Sequence, residues 1–375
     1  MLKRTTIAWF AAALVLAAPA TAREFSASAW LPDTHPLTKY GYLEWAKKVE
    51  EASGGALKPN VFTGTVLLPP AAHLSGLRDG VTDMTYHGGT YTAKELPIDN
   101  LIAQTMFNYA DYFTTAFAFT DFAMTDPDSL AQFKDNGIVF GGGSSTPQYV
   151  LFCREKVTSL ADIRGKKLRL AISGAHAAWA ESIDAVQVSV VSSEMYSGLD
   201  KGQLDCASNG ANEMKTRSLW DVAKHTTLVE LGVYWAGWQY GFNRGFWASL
   251  SDDERRILFD TIADQTVDTG LGYLASADEA LAEAKDHGVT IHEPEADLVK
   301  SIEDHKIVVR EWAINYGKEK LGLEDPEAIL VRFEERYAKW ERLLEGIDRS
   351  DAAALKAVLK KNLYDGIDVS TYGLD

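Results

Sequence analysis

The sequence predicts an α/β protein of two domains, each a mainly parallel sheet flanked by helices, with a cleft between the domains and a long bridging helix. The chain has 375 residues, which suits two domains of roughly 100–200 residues each. Strand-like and helix-like segments alternate along it, as they do in α/β domains. One helical pattern, which starts near residue 251, is longer than a single small domain needs.

The first part of the chain predicts one sheet. Residues 25–30, 57–62 and 83–86 predict strands. A helix is predicted to start at Pro36, because proline suits the first helical turn, and residues 70–79 predict a short helix before the third strand. This alternation is typical of a mainly parallel sheet.

A second α/β unit follows a glycine-rich crossover at residues 141–145. Its predicted elements are strands at 149–153, 167–172 and 188–191 and helices at 175–185 and 193–201. Residues 238–243 predict a strand that could return to the first domain.

The long helix begins with a capping box at Ser251, in which two residues bond each other's backbone. It can run to His287, where Gly288 is a typical C-terminal stop, and its length would be about 55 Å. Gly270 and Gly272 could bend it. A helix of this length would support both domains.

A further helix is predicted at residues 327–344. Phe333, Tyr337, Trp340 and Leu344 recur in it at spacings of a seam that packs against another helix. The simpler interpretation is packing on its own domain, and a dimer contact is the alternative.

These segments also predict the domain boundaries. We expect a signal peptide at 1–22, domain I at 23–147 and 236–275, domain II at 148–235 and 276–325, and a C-terminal helical extension at 326–375. The crossovers between the domains are short, which suits a hinge.

The first 22 residues have the pattern of a secretory signal peptide. Lys3 and Arg4 precede an apolar run at residues 7–18, which is too short to span a bilayer comfortably. Residues 20–22 form a small-residue cleavage site. We expect a mature protein in the periplasm, if the source is Gram-negative, without a membrane-spanning segment.

The net charge restricts the class of partner. A formal charge of −16 argues against nucleic acid or an anionic membrane. A small anionic ligand remains compatible with it, because exposed charges are screened beyond about 8 Å at physiological salt.

The two cysteines allow two interpretations. Cys153 and Cys206 would both lie in an oxidising compartment, so a disulfide is possible. Cys153 lies in an apolar run, however, and the simpler expectation for it is a small core residue.

One arginine lies inside an apolar, strand-like run, Leu168-Arg169-Leu170. A buried guanidinium is costly unless an anion pairs with it. If no carboxylate of this chain is that anion, the missing partner is a ligand. An internal salt bridge that holds the strand is the alternative.

The segment around Arg169 contains an ordered set of motifs. They are Ser159-Leu-Ala-Asp162-Ile-Arg-Gly165, Glu194-Met-Tyr196, Gly202-Gln-Leu-Asp205 and Asn209, with His35, Gly54-Gly55, Gly80-Val-Thr-Asp83-Met84, Asn243 and Trp247 outside it. In this order and spacing the chain resembles the periplasmic substrate-binding proteins of tripartite ATP-independent periplasmic (TRAP) transporters, of the organic-acid-binding type.

The resemblance implies a periplasmic-binding-protein-like fold that closes on an organic acid by hinge motion and delivers it to TRAP membrane permease subunits. Arg169 would clamp the carboxylate with two parallel donors. Asn209 would bond the same carboxylate or its α-substituent. For Asn209 the alternative is a turn asparagine, because Gly210 follows it.

The chain departs from the family pattern at several positions. Cys206 stands in place of a glycine, Gly210 in place of a proline and Ser192 in place of an aromatic or apolar residue. Keto-acid-binding members often have Glu-Trp where this chain has Ser208-Asn209. The missing glutamate argues against a metal-assisted keto-acid site.

Some sugar-acid-binding members have a second arginine near the position of Gln148 and Tyr149, and this chain has none there. We therefore expect one guanidinium, neutral donors and a monocarboxylate ligand. Aromatic and histidine side chains near the predicted cleft suggest apolar walls, although each alone is more often a core residue. Beside Arg169 and Asn209, the candidate ligand-binding residues are His35, His87, Tyr91, Gln148, Tyr149, Trp179, Trp235 and Trp238.

The motif content argues against an enzyme. The sequence contains no His-Glu-x-x-His, Gly-x-Ser-x-Gly, phosphate-loop or Cys-x-x-Cys pattern. We expect a binding protein without a catalytic site, cofactor or metal. A periplasmic hydrolase of small acids or esters, and a binding protein that feeds a sensor kinase, are the alternatives.

Overall fold

The computed structural model describes residues 22–170 and 174–374. The predicted signal peptide, residues 1–22, lies outside the described residues apart from Ala22. The described residues form two mixed sheets flanked by helices, so the predicted fold class is confirmed.

The strands of the two sheets follow each other along the chain with helices between most of them. They are β1 (Arg23–Ala29), β2 (Leu57–Thr63), β3 (Met84–Gly88), β4 (Ile138–Gly142), β5 (Tyr149–Cys153), β6 (Lys167–Arg169), β7 (Val186–Gln187), β8 (Cys206–Gly210), β9 (His225–Thr227), β10 (Gly237–Asn243) and β11 (Thr290–His292).

The helices range from single turns to one of 32 residues. They are α1 (Pro36–Thr38), α2 (Trp45–Ala52), α3 (His73–Arg78), α4 (Pro97–Ala103), α5 (Tyr112–Thr125), α6 (Pro127–Asp135), α7 (Leu160–Ile163), α8 (Gly174–Ser182), α9 (Met195–Asp200), α10 (Glu213–Thr216), α11 (Leu219–Val222), α12 (Arg244–Ser249), α13 (Asp252–Glu283), α14 (Ala296–Glu319), α15 (Pro326–Leu344) and α16 (Ala352–Asn362). A π-helical segment covers Lys39–Glu44, and 3₁₀ turns cover Pro70–Ala72, Gly89–Thr92, Met106–Asn108, Ser192–Glu194, Ala284–His287 and Tyr364–Gly366.

Each sheet contains one strand that runs against the others. In the first sheet, of order β2-β1-β3-β10-β4, that strand is β10. In the second sheet, of order β11-β9-β5-β8-β6-β7, it is β5. Each reversed strand is the first that the chain forms after a loop crossover, at residues 143–148 and 228–236. The exact division into domains I and II stays a prediction.

Helix α13 forms a third connection between the two sheets, in addition to the two loop crossovers. It begins with the predicted capping box between Ser251 and Glu254, and the 3₁₀ turn after it ends at Gly288, whose φ is 71°. The predicted limits of this helix are therefore confirmed. It contacts α2, α5 and β4 beside the first sheet and α10 beside the second.

The glycines of α13 are close-packing positions, and the α-helix continues through both. A Cβ added at Gly270 would lie 2.5 Å from Cε1 of Tyr112 and 2.7 Å from Cε1 of Phe113. A Cβ added at Gly272 would overlap the ring of Tyr40. Glycine is therefore needed at position 270, where both rings are buried, whereas the Tyr40 ring beside Gly272 is only partly buried.

The seam on α15 packs on the protein's own helices. Phe333, Trp340 and Leu344 are fully buried, and α15 lies along α5. The ring of Trp340 is 5.3 Å from that of Phe117 on α5. Packing on its own domain, the simpler of the two interpretations, is confirmed.

Two local expectations were wrong. Cys153 and Cys206 are directly opposite each other on β5 and β8 and form a disulfide, so Cys153 is not a free core thiol. The strand predicted at 188–191 lies at Val186–Gln187 instead. Pairing with β6 continues by one hydrogen bond, from the N–H of Val188 to the carbonyl of Leu168, and the carbonyl of Val190 then accepts a side-chain hydrogen bond from Arg169.

The close contact at Gly270 predicts a stability effect. Gly270→Ala should lower the free energy of unfolding by about 1–3 kcal/mol, because the added methyl group would overlap two buried aromatic rings. The better helix propensity of alanine, about 1 kcal/mol, would offset part of this loss. Urea denaturation followed by circular dichroism measures the change.

Gly272→Ala is the matched control, because it lies on the same helix and gains the same helix propensity. Tyr40 is only partly buried and can move aside, so we expect unchanged or slightly raised stability. Equal losses in the two variants would contradict the packing explanation.

Candidate binding site

A cleft opens between the two sheets at the ends of their parallel strands. Trp30 follows β1, Gly88 ends β3, Arg169 ends β6, and Asn209 is the last residue but one of β8. Ligand sites of α/β folds usually lie at this edge of a sheet. The space between the walls is about 480 Å³, and this includes the part that is open to solvent.

Arg169 is 3% exposed and carries an uncompensated charge. Its Nε donates to the carbonyl of Val190 at 3.2 Å, and its Nη1 donates to the carbonyl of Ser208 at 3.0 Å. No acidic side chain among the described residues pairs with it. The carbonyls orient the guanidinium without neutralising it, so the site favours a bound anion. An internal salt bridge, the alternative for Arg169, is absent from the described residues.

Asn209 lies next to this guanidinium on the cleft wall. It belongs to strand β8, so its interpretation as a turn residue was wrong. Its Oδ1 accepts a hydrogen bond from the backbone N–H of Gly210 at 2.8 Å. Its Nδ2 has no acceptor among the described residues, and it therefore offers a neutral donor beside Arg169.

A second guanidinium, which the sequence analysis did not single out, also lines the cleft. Arg217 comes from the segment after α10, and its Nε lies 2.8 Å from Oε2 of Glu213. Its Nη2 donates to Oγ of Ser192 at 3.3 Å. Sequence reasoning missed this pair because Glu and Arg four residues apart are an ordinary pattern of exposed helices.

Glu213 is 2% exposed and is ionised. Burial raises its pKa, but the Arg217 guanidinium and a hydrogen bond from His35 outweigh burial and lower the pKa to about 2. Oγ1 of Thr216 also donates to Oε2 of Glu213 at 2.9 Å. The negative charge of Glu213 is therefore already paired with groups of the protein itself.

His35 faces Glu213 from the other side of the cleft. Its Nδ1 accepts from the backbone N–H of Leu37 at 3.2 Å, and its Nε2 lies 3.4 Å from Oε1 of Glu213. Burial lowers the pKa of His35, and the bond to Glu213 only partly opposes this. We therefore assign a neutral ring with its proton on Nε2.

Two further contacts cross the cleft. The backbone N–H of Ser192 donates to Oη of Tyr91 at 3.3 Å. The guanidinium of Arg217 lies 5.6 Å from the centre of the Trp30 ring. Together with the contact between His35 and Glu213, they join the walls from the two sheets.

Aromatic rings form much of the remaining wall. They are Trp30, Tyr86, Tyr91, Tyr149, Tyr234 and Tyr273. Burial raises the pKa of Tyr86, Tyr149, Tyr234 and Tyr273, so their hydroxyl groups remain neutral. The walls can therefore hold an apolar group and offer neutral hydrogen bonds around it.

Of the candidate residues predicted from the sequence, Arg169, Asn209, His35, Tyr91 and Tyr149 line the cleft. His87 and Trp238 lie behind its wall. Nε2 of His87 is 2.7 Å from Oγ1 of Thr92, and Nε1 of Trp238 donates to Oγ1 of Thr85 at 3.0 Å. The two rings pack together at 4.8 Å, which explains their burial in the core.

Three further candidates also lie outside the cleft wall. Trp179 is fully buried on α8, and its Nε1 donates to Oγ of Ser301 at 3.4 Å. Trp235 packs 5.1 Å from the ring of Tyr109. Gln148 precedes Tyr149 on the chain but is not among the lining residues. Aromatic composition alone did not distinguish wall from core.

Two other kinds of feature are absent from the described part of the chain. Within it, no group of three or more His, Cys, Asp or Glu side chains could hold a metal ion. None of its helices is both long and apolar enough to cross a membrane.

Comparisons with known proteins give a family. Residues 26–314 match the family model DctP, described as bacterial extracellular solute-binding protein, family 7. The chain is 24% identical over 223 residues to a solute-binding protein of Albidiferax ferrireducens and 30% identical over 150 residues to the C4-dicarboxylate-binding periplasmic protein DctP of Rhodobacter capsulatus. These matches cover 59% and 40% of this chain, and they span 64% and 44% of the relatives' lengths.

Solved structures share the fold at low sequence identity. A TRAP solute-binding protein from a marine metagenome, in complex with 3-hydroxybenzoate, has a TM-score of 0.76 and 20% identity, and the match covers 85% of this chain and 99% of that one. A TRAP solute-binding protein of Rhodoferax ferrireducens T118, in complex with benzoate, has a TM-score of 0.75 and 18% identity, with 86% and 99% covered.

Proposed function

The chain belongs to family 7 of the bacterial extracellular solute-binding proteins, the DctP family of TRAP receptors, and we propose that it binds an organic acid and delivers it to a TRAP membrane permease. The observation that supports the ligand class is Arg169, a buried guanidinium oriented by two carbonyls and unpaired within the described residues. A carboxylate matches its fork of parallel donors.

Arg169 and Asn209, which both lie on the second sheet, would bind the carboxylate of the acid. Nη1 of Arg169 bonds the carbonyl of Ser208, the residue before Asn209, so the two donors share one short stretch of wall. A carboxylate can accept from both at once. Asn209 would then fix the orientation of the acid while Arg169 supplies the charge.

The rest of the acid would face aromatic walls. The lining rings include Trp30, Tyr86 and Tyr234, and a smaller cavity behind the cleft shares Tyr86 and Tyr234 with it. These walls suit a ring or a branched apolar group. Two relatives of the same fold were solved with benzoate and 3-hydroxybenzoate, which agrees with this choice.

Closure of the two sheets on each other would complete the site. His35, Tyr91 and Trp30 from the first sheet already contact partners from the second. A closed cleft excludes water, and this strengthens each charge-assisted bond to the ligand. We propose that the protein binds its ligand in the periplasm, as its periplasmic relative is named for doing.

A matched ligand pair tests the proposal. Carboxylates such as benzoate, 3-hydroxybenzoate and mandelate are expected to raise the thermal midpoint in a concentration-dependent way, because saturation at ~100 times the dissociation constant stabilises by about 2.7 kcal/mol. Differential scanning fluorimetry measures the shift. Benzamide, which has the size of benzoate without its charge, should leave the midpoint unchanged. Shifts with neutral compounds alone would refute the carboxylate site.

The proposed pairing of Arg169 with the carboxylate predicts the effect of mutating this arginine. Arg169→Ala should weaken acid binding by ~30-fold to several-thousand-fold, because one member of a buried charge pair is lost. Arg169→Lys should also bind poorly, since lysine lacks the two-pronged geometry. Calorimetric titration measures both affinities.

Arg164→Ala is the matched control for these variants. Arg164 lies five residues earlier, its side chain is 71% exposed, and it pairs with Asp184 outside the cleft. We expect its affinity to equal that of the wild type. Near-wild-type affinity in Arg169→Lys would contradict a bidentate clamp.

A further inference from the structure

The two guanidinium groups of the cleft differ in their partners. Arg169 has only carbonyl partners among the described residues. Arg217 has Glu213 at 2.8 Å. We infer, resting on the proposed carboxylate site, that Glu213 determines the charge of the ligand: it neutralises Arg217, leaves one unpaired cation, and so selects a singly charged acid over a dicarboxylate.

The charge count depends first on the state of His35. Its Nδ1 accepts from the backbone N–H of Leu37, so the single ring proton lies on Nε2, towards Glu213. A neutral ring adds no charge. Among the described residues, the charged groups that line the cleft are then two guanidinium groups and one carboxylate, and the sum is one positive charge.

Arg217 is also held in place apart from its ion pair. Its guanidinium lies over the ring of Trp30 at 5.6 Å, and Nη2 donates to Ser192. Oε2 of Glu213 in turn accepts a hydrogen bond from Oγ1 of Thr216, and its Oε1 lies 3.4 Å from Nε2 of His35. Neither member of the pair can turn to a ligand without leaving the other charge buried and unpaired, which is strongly unfavourable.

A dicarboxylate would therefore meet a specific barrier. Its first carboxylate would pair with Arg169, and its second would either remain unpaired in the closed cleft or compete with Glu213 for Arg217. In both cases one buried negative charge lacks a partner. Like charges placed together in this way are a usual means of rejecting a wrong ligand.

The test uses three pairs of acids that differ in one charge. They are succinate and succinamate, glutarate and glutaramate, and isophthalate and 3-carbamoylbenzoate. Isothermal titration calorimetry should show that the wild type binds the monoamide at least about tenfold more tightly than the diacid in every pair that binds. A wild type that prefers the diacid would overturn the inference without any variant.

The decisive variant is Glu213→Gln, which keeps the shape of the side chain and removes its charge. With Arg217 released, the ratio of diacid to monoamide affinity should rise at least about tenfold. The double variant Glu213→Gln/Arg217→Gln restores one net positive charge and should return the preference to the monoamide. A ratio that is equal in the wild type and both variants would overturn the inference.

The outcome also separates this inference from the proposed function. One outcome is that the acids bind and Arg169→Ala abolishes their binding, while Glu213→Gln leaves the ratio of diacid to monoamide affinity unchanged. In that case only the inference fails. If neither these six acids nor benzoate, 3-hydroxybenzoate and mandelate bind to the wild type, the carboxylate site fails and the inference fails with it.

Discussion

The site depends on one positive charge that the protein orients without neutralising. Two backbone carbonyls, of Val190 and Ser208, fix the guanidinium of Arg169. Burying such a charge without an anion costs several kcal/mol, so the fold tolerates a local penalty at this position. The irregular backbone at 188–191 belongs to the same arrangement, because the carbonyl of Val190 in this segment holds the arginine.

The topology explains why functional side chains from distant parts of the chain meet. The parallel strands of both sheets end at the cleft. The reversed strands β5 and β10 each follow directly after one of the two loop crossovers between the sheets. Arg169 and Asn209 lie at the ends of the neighbouring strands β6 and β8, whose register places Arg169 opposite Ala207. A motif spread over 40 residues of sequence thus becomes one short stretch of wall.

The sequence predicted the fold class, the limits of α13 and the position of Arg169, because these follow from periodicity, capping residues and a charge inside an apolar run. It did not predict Arg217, because an arginine four residues after a glutamate has the same pattern on an exposed helix as in a buried cleft. His87 and Trp238 were misplaced for the opposite reason. Their residue types suit a cleft wall, but their contacts with Thr92 and Thr85 hold them in the core.

The contacts across the cleft also limit how the protein can respond to a ligand. The hydrogen bonds of His35 and Tyr91 are long, at 3.4 and 3.3 Å, and each bond of this kind contributes only about 1 kcal/mol. Closing the cleft while Arg169 is unpaired removes water from a charge, which opposes these weak contacts. An anion removes that penalty only in the closed state. The same guanidinium that binds the acid therefore provides the differential affinity that shifts the population towards closure.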